Sequence, residues 1–237
     1  MINILNKNNI NLSNYRFGFT LAEVLITLGV IGVVAALTMP MVIDRYNEVA
    51  TVSKVKKIYS TLGNAMSLAV SENGTVDTWF VETAGAWVAS QKNTQGIASN
   101  IVPQLKVLKD CGFEKNCMMV VDFKFLNGSR WGTYTNYRDK YFYKVILNDG
   151  SVVIIKAQGD KCNLTDGGYS NTCGYILYDV NGEKAPNTFG KDVFSFLIMK
   201  DSIKPNKLDN CKKSSTERQC TGAAAHIILN GNMNYLH

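Results

Sequence analysis

The stretch Gly18-Phe-Thr-Leu-Ala-Glu-Val-Leu-Ile26 begins an apolar run that continues to Ile43 and decides how the rest of the chain folds. The run is long enough for a helix to cross the hydrocarbon layer of a membrane, which takes about 20 residues. Glu23 lies inside it, and a carboxylate within a bilayer is costly and usually marks a functional position. The sequence therefore predicts a membrane-spanning helix with one acid that needs a partner.

The composition indicates one folded domain in addition to this run. Hydrophobic residues make up 46% of the 237-residue chain and charged residues 19%, which is sufficient apolar material for a core. Residues 44–237 lie beyond the run, and this length is typical of one domain. The net charge of +6 is too small to indicate a nucleic-acid partner by itself.

Six cysteines lie beyond the apolar run, in three couples that each enclose a turn-rich loop. They are Cys111 and Cys117, Cys162 and Cys173, and Cys211 and Cys220. Several connectivities are open to six cysteines; we favour pairing within each couple, with reduced core thiols as the alternative. No Cys-x-x-Cys spacing occurs, which argues against a zinc site. Disulfides form in oxidising compartments, so this pairing places the domain outside the cytoplasm.

The segment from Gly18 to Ile26, preceded by Arg16 and Phe17, resembles the cleavage and methylation motif of type IV prepilins and type II secretion pseudopilins. The resemblance implies that a membrane prepilin peptidase cuts after Gly18 and methylates the new N-terminal Phe19. It also implies that Glu23 is the assembly acid, which pairs with the amine of a neighbouring subunit. The alternative is an ordinary signal anchor that contains a glutamate.

The resemblance implies a particular organisation of the chain. Residues 1–18 are a leader, residues 19–43 a transmembrane and assembly half-helix, and residues 44–237 an extracytoplasmic head. Within the head, residues 44–72 continue the helix as an amphipathic half, and residues 73–237 form a connector and a β-sheet. The implied partners are the peptidase, other pilin or pseudopilin subunits, the inner-membrane assembly platform and, before assembly, membrane lipid. The chain would begin in the inner membrane and end in a periplasmic pseudopilus or a surface pilus.

Residue periodicity predicts the same fold class without the resemblance. Apolar residues recur at helical spacing from Val52 to Ala69, and Asn73-Gly74 predicts the end of that helix. A second helix is predicted from Ile101 to Lys109, with Ser99-Asn100 as its cap. Strands are predicted at residues 118–125, 141–147, 152–157, 175–180 and 193–199. A long helix followed by antiparallel strands predicts an α+β, pilin-like domain stabilised by disulfides.

The loop from Asp179 to Asp192 resembles a stretch that is common in pseudopilins, some of which bind calcium there. Asp179, Asn181 and Asp192 supply the hard oxygen ligands that calcium prefers. The spacing is not that of an EF-hand, because the acidic run and the distal glutamate are absent. The competing interpretation is a pair of turns, Asn-Gly and Pro-Asn, that joins two strands without any cofactor.

The rest of the sequence contains no catalytic constellation, so we predict a structural subunit and not an enzyme. Arg130–Lys144 interleaves basic and aromatic residues as single-stranded nucleic-acid platforms do. We favour a β-hairpin in which the aromatic residues pair across the two strands. Nucleic acid is therefore not a predicted partner. Two alternatives therefore accompany the filament subunit: a minor pilin that binds DNA or a surface ligand, and an anchored periplasmic domain that never polymerises.

Overall fold

The structure, a computed structural model, describes residues 18–85, 87–114, 117, 122–131, 140–207, 211 and 220–237. The chain divides between Tyr46 and Asn47 into two units, each considered by itself below. In the described ranges the α-helices are α1 (Leu21–Asn73), α2 (Gln91–Ile101) and α3 (Ala223–Asn230). Short 3-10 turns lie at Val76–Thr78, Val102–Gln104 and Asn234–Leu236. The strands are β1 (Val107–Gly112), β2 (Tyr143–Leu147), β3 (Val152–Ala157), β4 (Leu164–Asp166), β5 (Tyr169–Asp179), β6 (Val193–Met199) and β7 (Ile203–Pro205).

The second unit is built on one antiparallel sheet, which has seven strands among the described residues. The strand order is β1-β2-β3-β5-β6-β7, and the short β4 pairs with β5 outside this path. The hairpin between β2 and β3 turns through Gly150, whose φ of 79° suits glycine. The predicted α+β, pilin-like fold, with a long N-terminal helix and three disulfides, is confirmed.

One face of the sheet packs against the second half of α1. Its buried side chains recur every three or four residues: Val55, Ile58, Leu62, Ala65, Met66 and Ala69. They share a core with every second residue of the central strands, such as Val153 and Ile155 of β3. The helix ends at Asn73, as predicted, because Gly74 has a φ of 77° and donates its N–H to the Val70 carbonyl at 3.0 Å.

The other face of the sheet is also covered, by an aromatic cluster to which the chain between β1 and β2, strand β5 and the loop after β5 all contribute. We call it the second core; it contains Phe123, Phe125, Trp131, Phe142, Tyr175 and Phe189, and Val152 and Ile154 of β3 pack into it. Trp131 stacks on Phe142 with ring centroids 6.0 Å apart. Because both faces are buried, β3 is apolar at consecutive positions and does not alternate with polar residues.

The second helix was predicted at the wrong place. The structure has α2 at Gln91–Ile101, where Ser90 caps it by accepting a hydrogen bond from the Asn93 N–H at 3.1 Å. Residues 93, 94, 97, 98 and 101 are buried at helical spacing. The residues after Gln104 instead extend into β1, because they pair with β2. Long-range strand pairing overrode the local cap signal at Ser99.

Candidate processing and assembly site

Gly18 and Phe19 precede the first turn of α1 in the first unit. The Phe19 side chain is 89% exposed, and a Cβ added to Gly18 would meet no atom within 4 Å. The remainder of the predicted leader, residues 1–17, which includes Arg16 and Phe17, lies outside the described residues.

Glu23 lies in a capping box with Thr20. The Glu23 carboxylate accepts the Thr20 backbone N–H and the Thr20 hydroxyl, both at 2.8 Å. In return, the Glu23 N–H donates to Thr20 Oγ1 at 3.2 Å. A Thr and a Glu three residues apart satisfy two backbone N–H groups at a helix start that have no partner within the helix. Thr20 is not among the site residues predicted from the sequence, although the spacing Thr20-x-x-Glu23 is typical of a capping box.

The part of α1 that belongs to the first unit, up to residue 46, exposes large apolar side chains along its length, such as Leu25, Ile31 and Met41. The most apolar 18 residues of the helix have a mean hydropathy of 2.3, and none of these residues is buried within the chain. Length and composition alone therefore qualify this helix to cross a membrane. Gly29 and Gly32 lie on its surface, where an added Cβ would meet no atom within 4 Å. Small residues at such positions permit close approach of another helix.

The six cysteines form three disulfides in the second unit. They are Cys111–Cys117, Cys162–Cys173 and Cys211–Cys220, the pairs within each couple that the sequence favoured. Cys162–Cys173 connects the segment before β4 to β5, and both cysteines belong to the α1-facing core. Cys220 precedes α3 and is 1% exposed. The bridges therefore lie in the folded head, which agrees with an oxidising compartment.

Asp179 ends β5, and Asn181 and Asp192 lie in the loop between β5 and β6; the three side chains have different roles. Asp192 is 5% exposed; its two oxygens accept the Asn187 and Thr188 N–H groups at 2.8 and 2.6 Å. Burial raises the pKa of the Asp192 carboxyl, while these hydrogen bonds oppose the increase. Asp192 is thus turned toward the backbone of its own loop, where it fixes the path of residues 187 and 188.

The other two predicted ligands, Asp179 and Asn181, lie beside each other. Asp179 is fully buried, and its Oδ1 accepts the Asn181 N–H at 3.2 Å. Asn181 Oδ1 is buried with no hydrogen-bond partner among the described residues. No cluster of three His, Cys, Asp or Glu side chains that suits a metal occurs in the described part of the chain. Calcium itself stays a prediction.

The candidate nucleic-acid stretch contributes to the core where the structure describes it. Trp131 and Phe142 pack in the second core, and Tyr143 is 9% exposed. The Tyr143 hydroxyl donates to Asp110 at 2.8 Å, and burial raises its pKa to about 12. Residues 132–139 lie outside the described residues, as do residues 118–121 of the predicted strand at 118–125. Trp131, Phe142 and Tyr143 therefore serve packing, whereas Tyr141 is half-buried and has Lys140 Nζ 4.9 Å from its ring centroid.

These features define a class of protein: a chain that begins with an apolar helix carrying a capping box and continues, later in the sequence, as a disulfide-bonded α+β head. A model of the prokaryotic N-terminal methylation motif, the type IV prepilin motif, matches residues 13–39. A model of a family of unknown function, DUF6613, matches residues 41–220, and the chain belongs to that family. Comparison with curated proteins and with solved structures finds no match. The predicted resemblance to prepilins is confirmed by the motif.

Proposed function

We propose that the chain is a structural subunit of a type IV pilus or type II secretion pseudopilus, and not an enzyme. A prepilin peptidase cleaves it between Gly18 and Phe19 and methylates the new N-terminus. The subunit waits in the inner membrane with its head outside the cytoplasm. The assembly platform then moves it into a helical filament, where it contacts other pilin or pseudopilin subunits.

The observation that carries the proposal is the carboxylate of Glu23 on an apolar helix that has no packing partner among residues 18–46, the described part of its unit. Lipid can cover the apolar side chains, but it offers no counter-charge to a carboxylate. A neighbouring subunit that begins at Phe19 brings a charged amine, which neutralises Glu23 when the two chains are offset along the filament axis. One contact repeated with rotation and rise generates an open filament.

The capping box agrees with this role. Thr20 uses one oxygen of the Glu23 carboxylate, Oε2, for both of its hydrogen bonds. A carboxylate has several acceptor sites on its two oxygens. The Glu23 side chain can therefore cap its own helix and also accept a hydrogen bond from the N-terminal amine of another chain. The box also fixes the direction in which the acid points, because both Thr20 groups lie one turn before it.

N-terminal mass spectrometry of the chain recovered from membranes tests the processing step. We expect the N-terminal peptide to begin at N-methylated Phe19, and to keep residues 1–18 in cells that lack the peptidase. The variant Gly18→Val should remain uncleaved, although an added Cβ at Gly18 meets no atom and leaves the fold intact. A wild-type chain that retains Met1 in cells with active peptidase would favour the signal anchor.

A further inference from the structure

A cavity of about 290 Å³ lies in the second unit, between the second half of α1 and the turn that joins β2 to β3. Its floor is apolar and consists of buried side chains from α1, β2 and β5, which include Ile58, Leu147 and Tyr178. Its rim carries three cations and one acid, which are Lys54, Lys57, Lys106 and Asp149. Three positive charges and one negative charge leave the cavity with a net charge of +2.

Two of the three lysines have no partner for their charge at contact distance. Lys54 Nζ donates to the Val180 carbonyl at 3.1 Å. The side chains of Lys57 and Lys106 form no hydrogen bond or ion pair with any residue that the structure describes. The acid on the rim is engaged elsewhere, because its Oδ1 accepts the Ser151 hydroxyl at 2.5 Å and the Ser151 N–H at 3.1 Å. The cavity therefore keeps a positive charge that an anion can neutralise.

The titration of Asp149 reflects the positive potential of the cavity. Burial would raise the pKa of its carboxyl, but hydrogen bonds from Ser151 and the charges of Lys54 and Lys57 lower it below the ordinary value. The volume lies at the lower end of the range for ligand pockets, about 300–1,000 Å³, so the cavity suits one or two side chains. A carboxylate side chain matches both the charge and the size.

The same unit carries the complementary charge at the end of α1. The Lys200 carbonyl accepts the Val76 N–H at 2.9 Å, which holds the turn between β6 and β7 beside the end of the helix. Two exposed acids, Glu72 and Asp201, lie there. Lys200 Nζ is 2.9 Å from Asp77 and already forms an ion pair with it. In the described part of the chain, neither Glu72 nor Asp201 has an ion-pair partner.

The lysine-rimmed cavity and the acidic helix end are too far apart to neutralise each other within one chain. Lys57 and Glu72 are 15 positions apart in α1, which is about 22 Å at the helical rise per residue. The Debye length at physiological salt is only about 8 Å. Two different, complementary patches on one unit are what a head-to-tail contact between identical subunits requires, and such a contact generates open filaments.

We propose that the lysine-rimmed cavity, through Lys57 and Lys106, binds the carboxylates of Glu72 and Asp201 on a second copy of the chain. This contact rests on the proposed function, because a filament is the assembly that repeats it. It joins the heads of two subunits and is separate from the contact that Glu23 makes near the N-terminus. Because the paired groups lie at the surface, high salt should weaken the contact.

Charge reversal tests the contact in filaments sheared from cells or cross-linked in the periplasm. We expect Lys57→Glu to lower the amount of chain in filaments at least about tenfold, because like charges would then face each other. The control Lys184→Glu makes the same change on an exposed lysine outside the cavity and should assemble as the wild type does. Combining Lys57→Glu with Glu72→Lys should restore assembly, since the exchanged charges pair between copies but are about 22 Å apart within one chain.

A carbodiimide provides a measurement that needs no variant, because it joins a lysine amine to a carboxylate that is in contact with it. We expect mass spectrometry of treated wild-type filaments to find a link between Lys57 and Glu72, which one chain alone cannot form. Filaments with N-methylated Phe19 that show neither this link nor any effect of Lys57→Glu would overturn the inference and leave the proposed function intact. A link from Lys57 to a different subunit would overturn the second copy as the occupant. If the wild-type chain enters no filament, both the inference and the proposed function are wrong.

Discussion

Replacing Glu23 with Gln should lower the amount of the chain recovered in filaments at least about tenfold, without preventing cleavage after Gly18. Glutamine keeps the size of the side chain and can still take the acid's place in a capping box. The variant therefore removes the charge and little else. In an apolar surrounding, removing one partner of an ion pair leaves the other charge unpaired, which costs about 3–5 kcal/mol. Each 1.4 kcal/mol is about a factor of ten in an equilibrium.

Thr20→Ala is the matched control for this prediction. It removes the hydroxyl, which takes part in two of the three hydrogen bonds that join Thr20 and Glu23, and leaves the carboxylate intact. Loss of a cap costs about 1 kcal/mol of helix stability, so we expect recovery in filaments close to that of the wild type. If Thr20→Ala failed to assemble and Glu23→Gln assembled normally, Glu23 would be only a helix cap and the pairing mechanism would be wrong.

Gly96→Ala should destabilise the head by about 3 kcal/mol. Gly96 lies in α2 against the segment that follows α1, and an added Cβ would lie 2.2 Å from the Trp79 carbonyl oxygen. That oxygen is backbone, and Trp79 is 6% exposed and held by a hydrogen bond from its indole N–H to the Asn73 carbonyl at 3.0 Å. The helix must therefore move away, and such overpacking costs about 1–3 kcal/mol or more.

Gly63→Ala is the control, because Gly63 is also inside a helix but an added Cβ there meets nothing within 4 Å. Alanine is favoured over glycine in a helix by about 1 kcal/mol, so this variant should be slightly more stable. Thermal melting of both variants should show a loss of about 6–12 °C for Gly96→Ala and a small gain for Gly63→Ala. Equal Tm values for the two variants would show that the contact of α2 with Trp79 is not tight.

The sequence alone predicts the parts of the structure whose conformation is set by residues adjacent in the chain. The end of α1 follows from Asn73-Gly74, and the β2–β3 hairpin follows from the turn before Ser151. The methylation motif is likewise one continuous segment. In each case a few adjacent residues fix the backbone, so their types are informative without knowledge of the fold.

The features that the sequence did not reveal depend on residues far apart in the chain. In the second core the ring centroids of Trp131 and Phe189 are 5.5 Å apart. The residues next to either one in the sequence do not indicate this contact. The sequence predicts helix at the start of β1 because the partner strand, β2, begins 36 residues further along the chain, at Tyr143.

Mechanical shearing of cells, followed by analysis of the released filaments, tests the central claim most directly. We expect the sheared fraction to contain this chain in a form that begins at N-methylated Phe19, together with other pilin or pseudopilin subunits. For a pseudopilus that stays in the periplasm, in-cell cross-linking through the N-terminal helices replaces shearing. If the processed chain occurs only as a monomer in the membrane, it is an anchored domain and not a filament subunit.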